Sequence, residues 1–181
     1  MMKNENMFWQ WDEEIPSVIC EEIIKMGLRL EKVDASFDGG KVDHSVRKTQ
    51  VGFFNSDTDA WLFHLLWGYM IKANTYAGWN FDIEVQRNPQ FTIYEKDFFY
   101  DFHEDGNVHK DGMRKISITI ILSDPTHYDG GEFIFKNGED AISKNQGTVI
   151  VFPSFIRHRV NSVTKGIRYS LVNWFDGPAF K

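Results

Sequence analysis

The chain has 181 residues, of which 42% are hydrophobic and 15% aromatic, and its formal net charge is −6. This length and composition can fill the core of one compact domain. The negative charge and the lack of a lysine- and arginine-rich stripe argue against a surface that tracks phosphates, so we expect no nucleic-acid partner.

The N-terminal sequence MMKNENMFWQWDEE lacks the basic head and apolar stretch of a signal peptide, and no apolar run is long enough to cross a bilayer. Cys20 is the only cysteine, which excludes an internal disulfide and a thiolate-rich metal site and is typical of a reducing compartment. We therefore expect a soluble, cytoplasmic protein without a membrane partner.

The first predicted helix covers residues 15–27, IPSVICEEIIKMG. A proline stands near its start, and Gly27 is a plausible C-terminal stop. Its apolar positions are Val18, Ile19, Ile23 and Ile24.

A second helix is predicted to start at SDTD, where Ser56 and Asp59 have the spacing of a capping box. It continues through AWLFHLLWGYMIKANTYAGW, which is apolar almost all round, and we therefore expect it to pack against a sheet. His64 lies within this run and is predicted to be a hydrogen-bonded core histidine.

From about residue 81 the sequence changes to short β-branched or aromatic runs separated by glycine, proline, asparagine or aspartate. Seven such runs follow, with the regular spacing of an antiparallel sandwich or barrel. Two helices followed by these strands predict an α+β, mainly β domain in which the helices cover the outer face of a jelly roll. The segment 34–48 has glycines and charges without apolar periodicity, and is either a lid that faces substrate or an ordinary surface loop.

The run FFYDFHEDG places a histidine and an aspartate in an aromatic strand. Because side chains alternate along a strand, His103 and Asp105 lie on one face and Glu104 on the other. His158 follows the apolar strand GTVIVF and a proline. Two histidines and one carboxylate on adjacent strands can bind iron(II) and leave positions for other ligands, although a His-x-Asp pair can also be a simple hydrogen-bonded pair.

Arg168 and Ser170 share one face of the strand IRYSLVNWF, between apolar neighbours. A guanidinium that points into a barrel requires an anion, because leaving it buried and unpaired costs several kcal/mol. Arginine with a hydroxyl two residues on can hold a terminal carboxylate. An internal salt bridge to a protein carboxylate is the alternative.

With these residues in place, the sequence resembles the iron(II)- and 2-oxoglutarate-dependent oxygenases, in the prolyl 4-hydroxylase-like branch that includes bacterial and phage PKHD-type hydroxylases. The resemblance runs from about residue 90 to residue 178. Its motifs are YEKDFFYDFHED, then ISITIILSDPTHYDGGEF with the glycine pair Gly130 and Gly131, and finally FPSFIRHRVNSVTKGIRYSLVNWFDGP.

The resemblance implies a double-stranded β-helix (jelly roll, cupin-like) with N-terminal supporting helices. Residues 1–181 would form a single domain, with helical and strand support over residues 1–88 and the β-helix core over residues 89–178. Two positions depart from the family pattern: Asp97 replaces a usual glycine, and Ile121 stands where oxygen-sensing prolyl hydroxylases have a tyrosine.

The resemblance also implies the site. His103, Asp105 and His158 would bind Fe(II), and Arg168 would hold the distal carboxylate of the cosubstrate 2-oxoglutarate. O2 is the other cosubstrate, and ascorbate is a further candidate. The residues expected to help bind 2-oxoglutarate are Ser170, Tyr94 and Thr119.

The function we expect is hydroxylation of a carbon on a protein or peptide, with a prolyl residue preferred, coupled to formation of succinate and carbon dioxide. One alternative is hydroxylation of a free amino acid or other small metabolite, and another is a non-catalytic jelly-roll binding module. Nucleic-acid demethylation ranks low, since Trp174 occupies the position of a second arginine expected six residues after Arg168. The sequence does not predict an oligomeric state.

Overall fold

A computed structural model describes residues 7–36, 42–106, 108–109, 112–136 and 142–180. The side chains of residues 108, 109 and 112 lie outside this description. Within these ranges, no helix combines the length and the apolar character needed to cross a membrane.

Two long helices, fifteen strands and a 3₁₀ turn make up the described chain. The helices are α1 (Ser17–Arg29) and α2 (Ser56–Tyr76), and the 3₁₀ turn is Pro125–His127. The strands are β1 (Trp9–Trp11), β2 (Val33–Asp34), β3 (Arg47–Lys48), β4 (Gln50–Phe53), β5 (Val85–Gln86), β6 (Gln90–Tyr94), β7 (Phe99–His103), β8 (Val108–His109), β9 (Gly112–Ile121), β10 (Tyr128–Gly130), β11 (Phe133–Phe135), β12 (Val149–Pro153), β13 (His158–Val160), β14 (Val163–Gly166) and β15 (Arg168–Gly177).

The strands form one large sheet, one small sheet and a two-stranded ribbon. The large sheet has the order β1-β12-β9-β15-β6-β4-β2, with β5 paired to β15 and β8 paired to β9. The small sheet has the order β11-β13-β7-β3, and β10 pairs with β14. The helices pack on one face of the large sheet and the small sheet packs on the other, since separate buried clusters fill the two spaces. These layers form the α+β, mainly β architecture that the sequence predicts.

Strict alternation along the central strands separates these two faces. On β9, Ile116, Ile118 and Ile120 are buried against the helices, so Ser117 and Thr119 lie on the opposite face, toward the small sheet. On β15, Leu171 and Phe175 belong to the same helix-facing cluster. The alternate positions Val172 and Trp174 therefore face the space between the sheets.

Helix α1 does not end at Gly27, so the predicted stop is wrong. The helix continues to Arg29, and the amide of Leu30 donates to the carbonyl of Gly27 at 3.2 Å. Glycine has a packing role here, because a Cβ at position 27 would lie 2.4 Å from the ring of Phe91. The large sheet thus approaches the helix backbone at this point.

The capping interaction of α2 starts one residue before the predicted Ser56. The side chain of Asn55 accepts a hydrogen bond from the amide of Asp57 at 3.0 Å. The carboxylate of Asp59 in turn accepts from the amide of Asn55 at 3.1 Å. The reciprocal pattern is therefore present, with asparagine as the N-cap residue.

Three side chains of the helices are more exposed than the sequence indicates. Val18 is 66% exposed and Ile19 is 36% exposed, whereas the predicted apolar position Ile23 is buried together with Cys20 and Gly27. His64 is exposed rather than a core histidine. Helix α2 buries the positions Leu62, Leu66, Met70 and Ala73.

The first half of the chain also contributes strands that the sequence pattern did not predict. Strand β4 pairs with β6 and extends the large sheet, while β3 pairs with β7 and extends the small sheet. Residues 37–41 of the predicted loop 34–48 lie outside the described residues. One described end of that segment pairs with the large sheet through β2, and the other pairs with the small sheet through β3. Both ends therefore lie close to the space between the two sheets.

Candidate metal centre

Two histidines and an aspartate converge between the sheets. His103 Nε2 lies 3.6 Å from Asp105 Oδ1, and His158 Nε2 lies 3.7 Å from Asp105 Oδ2. One ligand atom from each residue can be chosen so that all three lie within 4.8 Å of one another. The His–Asp separations exceed a hydrogen bond but allow the three groups to share one cation.

Strand pairing explains this convergence. His103 on β7 and His158 on β13 are direct partners in an antiparallel ladder, so their side chains lie side by side on one face. Asp105 follows the end of β7, and its amide donates to the carbonyl of Ser154 at 2.9 Å. The amide of Gly106 donates to the same carbonyl at 2.8 Å and fixes the turn.

Both imidazoles are oriented by the backbone. Nδ1 of His103 lies 2.8 Å from the carbonyl oxygen of Asp101, and Nδ1 of His158 lies 2.9 Å from that of Ile156. A carbonyl can only accept, so each Nδ1 carries the proton and each Nε2 keeps its lone pair. Both Nε2 atoms are therefore available as metal ligands.

Asp105 is held as a carboxylate by its neighbours. Burial alone would raise the pKa of Asp105, but the imidazoles of His158 and His103 and a hydrogen bond from Ser117 together hold this pKa well below its ordinary value. Ser117 Oγ donates to Asp105 Oδ2 at 2.7 Å and lies 2.9 Å from Ser154 Oγ. Burial is the main cause that lowers the pKa of His158 to about 4. Ionised aspartate and neutral histidine are the protonation states that metal binding requires.

A cavity of about 400 Å³ opens beside these three residues. Arg168 lines it and is only 1% exposed. Its Nη1 donates to Ser170 Oγ at 3.2 Å, while its Nη2 is buried without a hydrogen-bond partner. Among the described residues, no carboxylate lies within 4.0 Å of this guanidinium. The predicted alternative of an internal salt bridge therefore has no partner in the described part of the chain, and the free donor fits the carboxylate of a ligand.

The structure places the three predicted helper residues in the same cavity. Tyr94, Thr119 and Ser170 all line it and are all buried. Tyr94 is the direct cross-strand partner of Arg168, and the guanidinium carbon lies 5.2 Å from the centre of its ring. The cavity thus presents the guanidinium of Arg168 and these three hydroxyl-bearing side chains near the candidate metal ligands.

The structure also explains one glycine of the sequence motif. A Cβ at Gly131 would lie 2.9 Å from Cδ of Arg168, so glycine leaves room for the arginine side chain. The departure at Asp97 has a simple basis as well. Its φ is +67°, a left-handed conformation that glycine adopts readily and aspartate tolerates, and its amide donates to the carbonyl of Val163 at 2.8 Å.

Sequence reasoning missed three polar groups near the site: Arg47, Arg114 and Ser117. Ser117 shares the inward face of β9 with Thr119, so the same alternation could have identified it. Arg47 lies on a strand of only two residues, which is too short for a periodic signal. Arg114 lies beyond an irregularity in the pairing of β9 with β15, so alternation from Thr119 does not predict its direction.

Comparison with known proteins agrees with this geometry. Residues 89–176 match the sequence profile of the 2OG-Fe(II) oxygenase superfamily. A PKHD-type hydroxylase from Psychrobacter sp. (strain PRwf-1) is 34% identical over 48% of this chain and 36% of its own length. The PKHD-type hydroxylase YbiX from Escherichia coli (strain 55989 / EAEC) is 28% identical over 90% of this chain and 76% of its own length. The chain therefore spans about a third of the first relative and about three quarters of the second.

Solved structures share the fold. A prolyl-4-hydroxylase from Pseudomonas putida has a TM-score of 0.76 at 21% identity and covers 94% of this chain and 93% of its own. A prolyl hydroxylase from Trichoplax adhaerens has a TM-score of 0.77 at 16% identity and covers 96% of this chain and 84% of its own. This similarity confirms the predicted double-stranded β-helix. Sequence profile, fold and geometry together assign residues 89–176 to the 2OG-Fe(II) oxygenase superfamily, and the chain is similar to the PKHD-type hydroxylases and the prolyl 4-hydroxylases.

Proposed function

We propose that this oxygenase hydroxylates a carbon of a protein or peptide, with a prolyl residue as the preferred target. In the overall reaction, substrate C–H, O2 and 2-oxoglutarate give substrate C–OH, succinate and carbon dioxide. The names of the relatives support the choice of substrate. The Trichoplax adhaerens enzyme was solved in complex with a peptide fragment of the hypoxia inducible factor oxygen degradation domain.

The proposal assigns iron(II) to His103, Asp105 and His158 and the distal carboxylate of 2-oxoglutarate to Arg168. When bound, iron(II) and 2-oxoglutarate supply the oxidative decarboxylation that drives hydroxylation. The two imidazoles offer Nε2 lone pairs and Asp105 offers an anionic oxygen, so two neutral groups and one charge face the cation. Arg168 orients the cosubstrate, with Ser170, Tyr94 and Thr119 as further polar contacts.

One observation carries the proposal: a buried guanidinium with a free donor lies in the same cavity as the three converging ligands. A non-catalytic jelly-roll module would need neither an oriented pair of Nε2 atoms nor a buried cation. Aromatic rings close the far side of His158. The ring centres of Phe133 and Phe152 lie 5.2 Å and 4.7 Å from that of the imidazole and exclude water from this side.

The direct test is anaerobic mixing of the purified protein with iron(II) and 2-oxoglutarate. We expect a metal-to-ligand charge-transfer band. We expect Arg168→Ala to weaken 2-oxoglutarate binding by at least ~100-fold, because it removes one partner of a buried charge pair. Arg29→Ala, an exposed arginine at the end of α1, is the matched control and should bind as the wild type does. A wild-type protein without this band would contradict the proposal.

A free acid is the second candidate substrate, and Arg114 favours it. Its guanidinium carbon lies 4.3 Å from the centre of the Trp174 ring, and both residues line the cavity. Nη1 donates to the carbonyl of Asp105 at 3.3 Å, while Nε is buried without a partner. Among the described residues no carboxylate lies within 4.0 Å of this second cation, so a substrate carboxylate could meet it.

Succinate formation measured against a peptide library and a library of free amino acids and metabolites separates the two candidates. Turnover of a peptide with a blocked C-terminus supports the first, and turnover confined to free acids supports the second.

Parallel assays with and without ascorbate test the further cofactor that the family resemblance implies. The proposal includes a cytoplasmic location, which is supported by the single, buried, unpaired cysteine Cys20.

A further inference from the structure

Three planar groups form a stacked column in the wall of the cavity: Arg47, Tyr100 and His103. The rings of Tyr100 and His103 are nearly parallel, with centres 3.4 Å apart and an interplanar angle of 13°. On Tyr100, the guanidinium carbon of Arg47 lies 4.5 Å from the ring centre. All three residues line the cavity.

Strand register produces this column. Arg47 on β3 is the direct cross-strand partner of Tyr100 on β7, so the two side chains lie side by side on one face. Planar guanidinium groups stack well on aromatic faces, and lysine cannot reproduce that contact. Burial raises the pKa of Tyr100 to about 12, so its ring is a neutral phenol at physiological pH.

The two histidines differ in how they are held. His158 is 5% exposed in its side chain and is enclosed by the rings of Phe133 and Phe152. His103 is 13% exposed in its side chain, which is more than His158. One hydrogen bond from Nδ1 fixes the tautomer of His103, but the imidazole can still rotate about that hydrogen bond. The parallel contact with the Tyr100 ring opposes this rotation.

Arg47 is itself firmly held, which a passive surface cation would not need. It is 7% exposed. Its Nε donates to Thr49 Oγ1 at 3.0 Å, and its Nη1 donates to the carbonyl of Ser36 at 2.9 Å. The guanidinium is thus fixed by two hydrogen bonds, one to a side-chain hydroxyl and one to a backbone carbonyl, and it lies over the Tyr100 ring.

We propose that Arg47 is a positioning residue for the metal centre, an inference that rests on the proposed function. Arg47 holds the Tyr100 ring flat against His103 and so fixes the plane of that imidazole. Arg47 acts through Tyr100 and does not touch the metal. The stack preorganises one ligand, so its loss lowers metal affinity even in the absence of any substrate.

The sign of the effect distinguishes this role from two others. By charge alone, a nearby cation repels a metal cation, so removing Arg47 would tighten metal binding. If Arg47 only contacted substrate, its removal would leave the affinity for metal unchanged. Positioning predicts weaker binding instead, and it predicts that lysine, which keeps the charge but not the plane, behaves like the neutral variant.

The test is titration of the metal-free full chain with Co(II) alone, followed by calorimetry and by the visible d–d bands. We expect Arg47→Met and Arg47→Lys each to weaken Co(II) binding about 10-fold, at the lower end of the range for residues that orient metal ligands, and to alter the d–d bands. Tyr100→Leu should do the same. Tyr100→Phe keeps the aromatic ring and should therefore show the wild-type Co(II) affinity and d–d bands.

Arg159→Met is the matched control. Arg159 also stacks on an aromatic ring of β7, with its guanidinium carbon 4.7 Å from the centre of Phe102, but neither residue lines the cavity. Far-UV circular dichroism of each metal-free variant checks folding. If an Arg47 variant does not fold, the Co(II) affinity of Tyr100→Leu tests the proposal instead. Equal or tighter Co(II) binding by Arg47→Met would overturn the positioning role while leaving the proposed function intact. Absence of Co(II) binding in the wild type would refute the metal centre itself.

Discussion

Gly131 and Arg168 are in direct packing contact, and the absence of a side chain at position 131 lets the arginine lie in the cavity. A Cβ at position 131 would lie 2.9 Å from Arg168 Cδ and 3.0 Å from Cγ2 of Val163. We therefore expect Gly131→Ala to displace the guanidinium and weaken 2-oxoglutarate binding on the order of 10-fold, as overpacking of a well-filled site does. Titration of the iron(II)-loaded protein with 2-oxoglutarate, followed by the charge-transfer band, measures this loss of affinity.

Gly78→Ala provides the control for that variant. Gly78 also has a left-handed backbone, with φ of +70° against +64° at Gly131, but no atom lies within 4 Å of a Cβ built there. Both variants should lose about 1 kcal/mol from backbone strain. If both bind 2-oxoglutarate as the wild type does, crowding of Arg168 is not a determinant of affinity.

Ser117→Ala should weaken the metal site without unfolding it. The substitution removes the 2.7 Å hydrogen bond to Asp105 Oδ2, and groups that orient metal ligands typically contribute ~10-fold or more in affinity. Calorimetric titration with Co(II) measures the loss. Ser123→Ala is the control, because buried Ser123 accepts from the amide of Tyr169 at 2.7 Å and should affect only stability. Equal Co(II) affinities in the two variants would rule out this role for Ser117.

Gly27→Ala should destabilise the protein although alanine is the better helix former. The new methyl group would lie 2.4 Å from the ring of Phe91, and overpacking costs about 1–3 kcal/mol, against a gain of at most ~1 kcal/mol in helix propensity. Urea unfolding measures the balance. Gly68→Ala within α2, where a Cβ meets nothing within 4 Å, should instead be neutral or stabilising. A stabilised Gly27→Ala would show that α1 can move away from the sheet.

The metal-free protein should lose stability as the pH falls below about 6.5. The pKa of His158 is about 4 in the folded protein against an ordinary value of 6.5, so the unfolded chain binds more protons between these two values. The free energy of unfolding therefore decreases on acidification through this window, by up to about 2 kcal/mol between pH 6.5 and pH 5. Below that, Asp105 adds to the loss, since its folded pKa is depressed.

Urea unfolding at several pH values, with His158→Gln as the control, checks this expectation. The variant lacks the titrating group and should lose the slope between pH 6.5 and pH 5. Titration of His158 near 6.5 in the folded metal-free protein, followed by NMR, would contradict the depressed pKa.

Alternation along long strands made much of the site predictable from the sequence. Strand β15 has ten residues, Arg168–Gly177, and side chains alternate faces along a strand, so the shared face of Arg168 and Ser170 followed from counting. The convergence of His103 and His158 did not follow in this way. It depends on the pairing of β7 with β13, which joins residues 55 positions apart, and the family resemblance supplied it. The metal and cosubstrate roles of these residues stay predictions.

The errors arose where a short-range signal competed with a tertiary contact. Glycine at the end of an apolar run is typical of a helix stop. At position 27, however, glycine is required because the ring of Phe91 leaves no room for a Cβ. Ser56 has the capping spacing, but Asn55, one residue earlier, is the N-cap and accepts the hydrogen bond from the amide of Asp57. Strands β2 and β3 have two residues each, so Arg47 was assigned to a loop. No pattern within the sequence identifies the strand on which it pairs.

The proton on each imidazole is set by the main chain, since His103 and His158 both face a carbonyl two residues earlier. Every amino acid at positions 101 and 156 carries that oxygen, so no exchange of side chain there abolishes the acceptor. Only a change in the path of the strand would do so. The correct tautomer is therefore inherited with the fold, which makes this part of the centre robust to point mutation, whereas the hydrogen bond to the carboxylate of Asp105 comes from a side chain, Ser117, that a single substitution removes.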